Sequence, residues 1–329
     1  MSKERSKGSV PLQQKIKMLK KMMLYRHFEE RVIAAYTKQK FSGFCHLHIG
    51  QEAVCVGVGE AMRPSDYVIG SYRSHTQAIE KGISAEAVFA ELFGKVTGCS
   101  RGKGGSMHMF SKEHRFLGGH GIVGGQAPIA VGAAFTAKYR QEDDVVVCYL
   151  GDAAMNQGQV FEALNLAATY TLPVLFIIEN NKYGMGTDIR RTTSVEQLYV
   201  RAQAFAMDHS LIDGMEVLSL YNHVAKIIKT MRQNNKPHLL EINTYRYKGH
   251  SVSDPGTYRT KEEVQKYQDL DPILTLKKQL MDAKELTVEQ FSAWEKEIKE
   301  EIKDAERKAD EAALPDVAEA WLHVFAGEQ

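Results

Sequence analysis

Apolar positions along the chain give the first reading. Between Gln13 and Lys38 they fall at Leu19, Met22, Met23, Tyr25, Phe28, Val32 and Ala35 with charges between them, close to the 3.6-residue period of an amphipathic helix. From Phe41 to Gly125 that period vanishes. Glycine becomes dense there, and His46, His48, His75, His108, His114 and His120 gather in what reads as loops and short helices, the kind of segment that builds sites. The clearest pattern runs from Asp144 to Asn181: VVVCYL, then GDAAMNQGQ, then FEALNLAATY, then LPVLFII ending in ENN. It predicts strand, helix, strand, and both strands are apolar throughout, as in the interior of a parallel sheet covered on two faces. A helix over Leu218 to Met231 followed by a strand over His238 to Tyr247 adds another unit, joined by right-handed crossovers. After Asp271 the chain turns to Lys, Glu and Ala, with Phe291, Trp294, Ile298, Ile302, Ala305 and Ala309 at three- and four-residue steps. The expected architecture is a doubly wound parallel α/β domain over residues 15–270, preceded by a flexible arm over 1–14 and followed by a helical C-terminal extension, 271–329, packed on the same domain.

Composition narrows the function classes. With 42 basic and 41 acidic residues among 329, no field draws the chain to nucleic acid or an anionic membrane. The longest apolar runs, Val145 to Leu150 and Leu172 to Ile178, are far short of the roughly 20 residues of a bilayer span. Cys45, Cys55, Cys99 and Cys148 lack the paired spacing of a zinc site and read as reduced, partly buried thiols. The first residues show no signal-peptide stretch and include an acid that transit peptides avoid, so a bacterial-type cytoplasm is expected.

The candidate chemistry lies at the strand ends. Gly151 and Asp152 follow one apolar run, where a helix N-terminus can cradle a phosphate and a carboxylate can hold a hard cation. Asn180, Asn181, Lys182 and Tyr183 follow the next run and add amide and carbonyl oxygens. Either element alone is an ordinary turn. Together, about 30 residues apart with a helix between, they resemble the thiamine-diphosphate motif, which begins Gly-Asp-Gly and ends Asn-Asn. One position departs: Ala153 stands where most relatives have glycine. A methyl there costs of order 1 kcal/mol if the backbone needs φ > 0, and little otherwise.

The resemblance extends from about Leu19 to Glu263 through FCHLHIGQE (44–52), SYRSH (71–75), KGGSMHM (103–109), GIVGGQ (121–126) and TYRYKGHSVSDPGTYR (244–259). These segments are similar to alpha subunits of the thiamine-dependent decarboxylase component of pyruvate dehydrogenase complexes. The resemblance implies magnesium on Asp152, Asn181 and the Tyr183 carbonyl. It implies Ala153, Ala154 and the forked guanidinium of Arg73 on the diphosphate, and the backbone of Gly121 and Val123 at the aminopyrimidine. Tyr72 would line the cofactor, Ser111 would be a substrate-pocket residue, and His46 and His250 would serve the thiazolium and the 2-oxo acid.

By the same resemblance a separate beta subunit supplies the glutamate that activates the cofactor, in a heterotetramer of two alpha and two beta chains, and a lipoyl acyltransferase accepts the acetyl group. Residues 249–259, with Ser251 and Ser253, are expected to form a mobile loop at the active-site mouth. SYRSH and GHSVSDP favour pyruvate over acetoin or branched 2-oxo acids. A nucleotide-binding α/β protein would show a glycine fingerprint with an acid about 20 residues on, and none stands out. A non-catalytic scaffold draws its only support from Ala153.

Overall fold

The computed structural model describes residues 10–322 and Val324. Most of the arm drawn over 1–14 therefore lies outside the described residues, and its last three join the first helix. Helix α1 (Leu12–Thr37) carries the predicted apolar stripe, with Leu19, Met22, Phe28 and Val32 fully buried. Next come α2 (Glu52–Gly59), β1 (Tyr67–Ser71), α3 (His75–Glu80), α4 (Ala85–Leu92) and β2 (Phe116–His120). Helix α5 (Gln126–Tyr139) leads to β3 (Val146–Gly151), α6 (Gly158–Thr169) and β4 (Val174–Asn180), which confirm the strand, helix, strand reading. A small hairpin, β5 (Tyr183–Gly184) with β6 (Thr187–Asp188), precedes β7 (Asp208–Asp213), α7 (Val217–Asn234) and β8 (His238–Asn243). The chain then runs through α8 (Lys261–Gln268), α9 (Pro272–Asp282) and α10 (Val288–Glu311).

Six strands form one parallel sheet in the order β2-β1-β3-β4-β8-β7. Strands β3 and β4 lie at its centre and bury nearly every residue, which explains why their apolar runs do not alternate. One core, on the side of α1, α2, α7, α9 and α10, is built around Phe28, Val54, Tyr149 and Leu240; a second, on the side of α5 and α6, around Ala130, Cys148, Val160 and Phe176. Two apolar cores on opposite faces make the sheet doubly wound. Among the described residues no helix is long and apolar enough to cross a membrane.

Three strands of the six-stranded sheet, and both short strands of the hairpin, were not legible in the sequence. Strands β1 and β2 sit inside the glycine-rich stretch, where YVIGS and FLGGH are too short and too small to show a period. Strand β7, DHSLID, is a half-buried edge strand. The strand expected over His238 to Tyr247 stops at Asn243. Beyond it Thr244 donates its N–H to the Asn180 carbonyl at 3.0 Å, and the chain turns across the sheet edge, carrying Tyr245 and Arg246 towards the site. The C-terminal helix behaves as its pattern implies. A Thr287–Gln290 capping box starts α10, and Phe291, Ile298, Ile302 and Ala309 pack it on α1 and α4. Cys45, Cys55 and Cys148 are buried and Cys99 partly so, all as free thiols, and burial pushes each thiol up.

At the opposite end of the sheet from the predicted site, Ser210 Oγ lies 2.9 Å from both His223 Nε2 and His238 Nε2. Burial, opposed by nearby Asp208 and reinforced by His223 and His209, depresses His238 to about 4. The unfolded chain therefore takes up this proton first, and stability is lost as pH falls from about 6.5 to about 4, by at most about 3 kcal/mol. We expect His238→Gln to flatten the melting temperature against pH in that window. An unchanged acid limb would show that His238 does not carry the loss of stability in that window.

Candidate active site

Parallel strands bring their carboxyl ends to one edge. Residues 71–73 leave β1, 151–154 leave β3, 179–181 close β4 and 244–246 follow β8, and they enclose a cavity of about 260 Å³. Tyr72, Arg73, Val123, Asp152, Ala153, Ala154, Asn181 and Tyr183 all line it, so eight of the predicted residues converge.

Asp152 is 2% exposed, and its Oδ2 has no hydrogen-bond partner among the described residues. Burial raises its carboxyl to about 6, against the pull of the Ala153 N–H and of Arg246. A buried carboxylate with a free oxygen costs stability and calls for a cation. The two asparagines divide their tasks because alternate residues of β4 face opposite ways. Asn180 donates to Glu241 at 2.6 Å and accepts from the Lys182 N–H, holding the turn, in which Lys182 has φ +73°. Asn181 faces the cavity, fixed by donation from its Nδ2 to Gln51 Oε1 at 3.0 Å, which leaves its Oδ1 turned to the Tyr183 N–H and Arg246. The Tyr183 hydroxyl donates to the Glu263 carboxylate at 3.0 Å and pins the hairpin that carries its carbonyl.

Ala153 begins a 3-10 turn (Ala153–Asn156) and has an ordinary negative φ, so its backbone does not require glycine. Space for its methyl comes from Gly184: a Cβ at 184 would stand 2.4 Å from Ala153 Cβ. Gly184 thus leaves room for the alanine that stands in the motif's glycine position. That finding removes the structural basis for reading Ala153 as a sign of lost function.

Arg73 is buried and donates to the carbonyls of Leu47 at 2.6 Å and His250 at 2.8 Å. Arg246, 2% exposed, also lines the cavity. Neither guanidinium pairs with a carboxylate among the described residues, and burial together with Arg246 lowers Arg73 to about 10. Two unpaired buried cations beside one cavity make it a strong anion site.

His46 and His250 do not line this cavity; both pack against Tyr72, which does. Their ring centroids are 4.9 Å apart, and Tyr72 is 4.4 Å from His46 and 5.6 Å from His250. The Nδ1 atoms of both histidines are buried without hydrogen-bond partners among the described residues. Burial and Arg73 push His46 far below its ordinary value. The same two causes and Arg246, opposed by Asp254, bring His250 to about 4. Both rings are neutral at neutral pH.

Other predicted positions fare differently. Gly121 directly follows β2, and a Cβ there would meet His108 Nε2 at 3.1 Å. The Val123 carbonyl already accepts from Gln159 at 2.9 Å. Ser111 is not brought to the cavity: it bridges to Phe116 at the amino end of β2, and its hydroxyl is engaged by His114 Nδ1 at 2.9 Å. His75 is a structural residue, fully buried between Glu29 at 3.0 Å and Ser106 at 2.8 Å. Arg246 was the residue missed. It lies in TYRYKGHS, where an apolar run suggested strand and hid the turn that aims it.

The family model described as "Dehydrogenase E1 component" matches residues 20–318. The chain belongs to that family. Its E1 relatives include the "Pyruvate dehydrogenase E1 component subunit alpha" of Rickettsia felis, 44% identical over 94% of this chain and 95% of that one. The mitochondrial subunit alpha of Dictyostelium discoideum is 44% identical over 95% of this chain and 82% of its own. That of Rhizobium meliloti is 43% identical over 94% and 89%. E1 components of this type depend on thiamine diphosphate and a divalent metal, usually magnesium. The residues present fit both groups: Asp152 offers an orphaned carboxylate oxygen, the turn after it offers backbone N–H groups, and two unpaired guanidiniums face the same space.

Proposed function

We propose that this chain is the alpha subunit of an acetyl-transferring pyruvate dehydrogenase, which decarboxylates pyruvate and passes the acetyl group to a lipoyl group of an acyltransferase. One observation carries the reading: among the described residues, a buried carboxylate with one orphaned oxygen, Asp152, and two buried guanidiniums with no carboxylate partner, Arg73 and Arg246, share one cavity at the carboxyl edge of a parallel sheet. Such a site is short of one divalent cation and one multiply charged anion.

Asp152, Asn181 Oδ1 and the Tyr183 carbonyl would hold magnesium. The N–H groups of Ala153 and Ala154 and the Arg73 fork would face the diphosphate, with Gly121, Val123 and Tyr72 bordering the rings. Thiamine diphosphate supplies the nucleophilic carbon and the electron sink that decarboxylation of a 2-oxo acid needs. His46 and His250 are neutral because burial and the two arginines disfavour their charge. An anionic substrate among those arginines would offset them, so each ring could then take and return one proton at its free Nδ1. We expect His46→Ala and His250→Ala each to lower kcat by roughly 10²- to 10⁴-fold. Cofactor affinity should stay within a few-fold, and near-normal turnover in either variant would remove that residue from the reaction.

Met185, 66% exposed on the cavity lining, and Ile122, 74% exposed and next in sequence to the lining residue Val123, are large apolar residues that a covering chain would bury. They support a beta subunit seated there, bringing the activating carboxylate in a heterotetramer of two alpha and two beta chains. The test is to co-purify the chain with its beta partner and follow pyruvate-dependent reduction of an artificial electron acceptor, with and without thiamine diphosphate and magnesium. Activity with pyruvate that needs both chains and both cofactors supports the proposal. A preference for acetoin or branched 2-oxo acids, run alongside, would replace the substrate and keep the family.

A further inference from the structure

Arg246 occupies an unusual place for a cation. Its Nη1 donates to Asn181 Oδ1 at 3.5 Å and to the Tyr183 carbonyl at 3.4 Å, the two neutral oxygens expected to ligate the metal. Its Nη2 donates to the Met185 carbonyl at 3.1 Å and the Tyr258 hydroxyl at 2.9 Å, and its Nε to the Lys248 carbonyl at 3.2 Å. All five acceptors are uncharged, and the side chain is almost fully buried. The bonds to Asn181 and Tyr183 are long, and so is the one Asn181 Oδ1 accepts from the Tyr183 N–H at 3.4 Å, so a metal would displace only weak hydrogen bonds and the guanidinium need not leave.

We propose that Arg246 makes metal binding conditional on the diphosphate: fixed against two of the metal's own ligand oxygens, its charge repels a bare divalent cation and tolerates one only when an anion is present. The inference rests on the reading of this cavity as a diphosphate and metal site. Magnesium holds its oxygens at about 2.0–2.1 Å. One ligated by the Tyr183 carbonyl, 3.4 Å from Arg246 Nη1, would therefore stand no more than about 5.5 Å from that nitrogen. At such separations, away from bulk water, like charges repel strongly. Asp152 and Glu179, the latter lining the same cavity with its Oε1 2.7 Å from His48 Nε2, cannot together offset a divalent ion and both Arg246 and Arg73, whereas a diphosphate can. The guanidinium is held on all sides by backbone and by Tyr258, so it cannot swing into solvent to relieve the repulsion. Metal and diphosphate thus enter as a pair, and neither the hairpin nor Asp152 is spent on a stray cation.

The experiment uses the metal-free complex of this chain with its beta partner and Mn²⁺ as a paramagnetic probe, with free Mn²⁺ read by electron paramagnetic resonance. In the unaltered complex, bare Mn²⁺ should bind at least roughly tenfold more weakly than in the presence of saturating thiamine diphosphate. Arg246→Met should tighten bare Mn²⁺ by at least roughly tenfold, and Arg246→Lys, which keeps the charge and loses the fork, should resemble the unaltered complex. Equal Mn²⁺ affinity with and without thiamine diphosphate in the unaltered complex overturns the proposal, and so does an Arg246→Met variant that binds bare Mn²⁺ no more tightly. If Arg246→Met fails to assemble, Arg246→Gln, which removes the charge and keeps amide donors, is measured in its place and should tighten bare Mn²⁺ in the same way. Should the unaltered complex bind no Mn²⁺ even with thiamine diphosphate, the site reading itself has failed, an outcome distinct from the loss of coupling.

Discussion

Asp152→Asn should make the metal-free chain more stable and the cofactor site useless. The carboxyl is 2% exposed and raised from 3.8 to about 6 by burial, so the folded state holds its proton more tightly than the unfolded state does. For an acid shifted this way, stability is lost as pH rises from about 3.8 to about 6, and the full cost, up to about 3 kcal/mol, is borne at neutral pH. Asparagine is nearly the same shape and carries no charge. At pH 7.5 the variant should melt several degrees higher than the unaltered apo chain. Its affinity for magnesium with thiamine diphosphate should fall by more than roughly 100-fold, since even outer-shell partners of a metal are worth 10- to 100-fold. A destabilised variant would mean that Asp152 holds the fold together through a contact the structure does not contain. Retained cofactor affinity would mean that the metal, if bound, sits elsewhere.

Gly184→Ala should damage the site through one methyl group, and Ala153→Gly in the same chain should repair it. Carbon atoms in contact sit about 3.5–4.0 Å apart. The new Cβ would stand 2.4 Å from Ala153 Cβ, and neither side chain can turn away. Gly184 does not have positive φ, so the backbone accepts alanine and the effect is steric alone. Either the hairpin carrying the Tyr183 carbonyl or the turn after Asp152 must move by about 1 Å, and a misplacement of that size can cost roughly 100-fold in rate. Ala153→Gly alone should change stability by no more than about 1 kcal/mol. In a double-mutant cycle on cofactor affinity the pair should couple by about 1–3 kcal/mol. Additive effects would show that the two residues do not share this space.

The same pair shows what the sequence could and could not reveal. Ala153 looks like damage to a motif when read alone, because its neighbour across the cradle is 31 residues away and belongs to a two-residue strand that no periodicity announces. The central strands were legible because burial on both faces makes them apolar throughout. The long helices α1 and α10 were legible because one face of each is apolar. Strands β1 and β2 were not, since glycine and small residues pack there against closely approaching chain and leave no hydrophobic signature. Asp152 and Asn181 could be placed by their position after apolar runs. Arg246 could not, because nothing local reports that β8 ends at Asn243 and that the chain then crosses the sheet edge. Ser111 rested on the resemblance alone, and it lies opposite Phe116 at the amino end of β2, away from the cavity.

The most direct test of the site is a calorimetric titration of thiamine diphosphate into the alpha and beta complex, with and without magnesium, for the unaltered chain and for Asp152→Asn. Binding that requires magnesium in the unaltered complex and disappears in the variant is the predicted result. Binding that is indifferent to magnesium, or equal in the two proteins, would contradict the assignment of this cavity as the metal and diphosphate cradle.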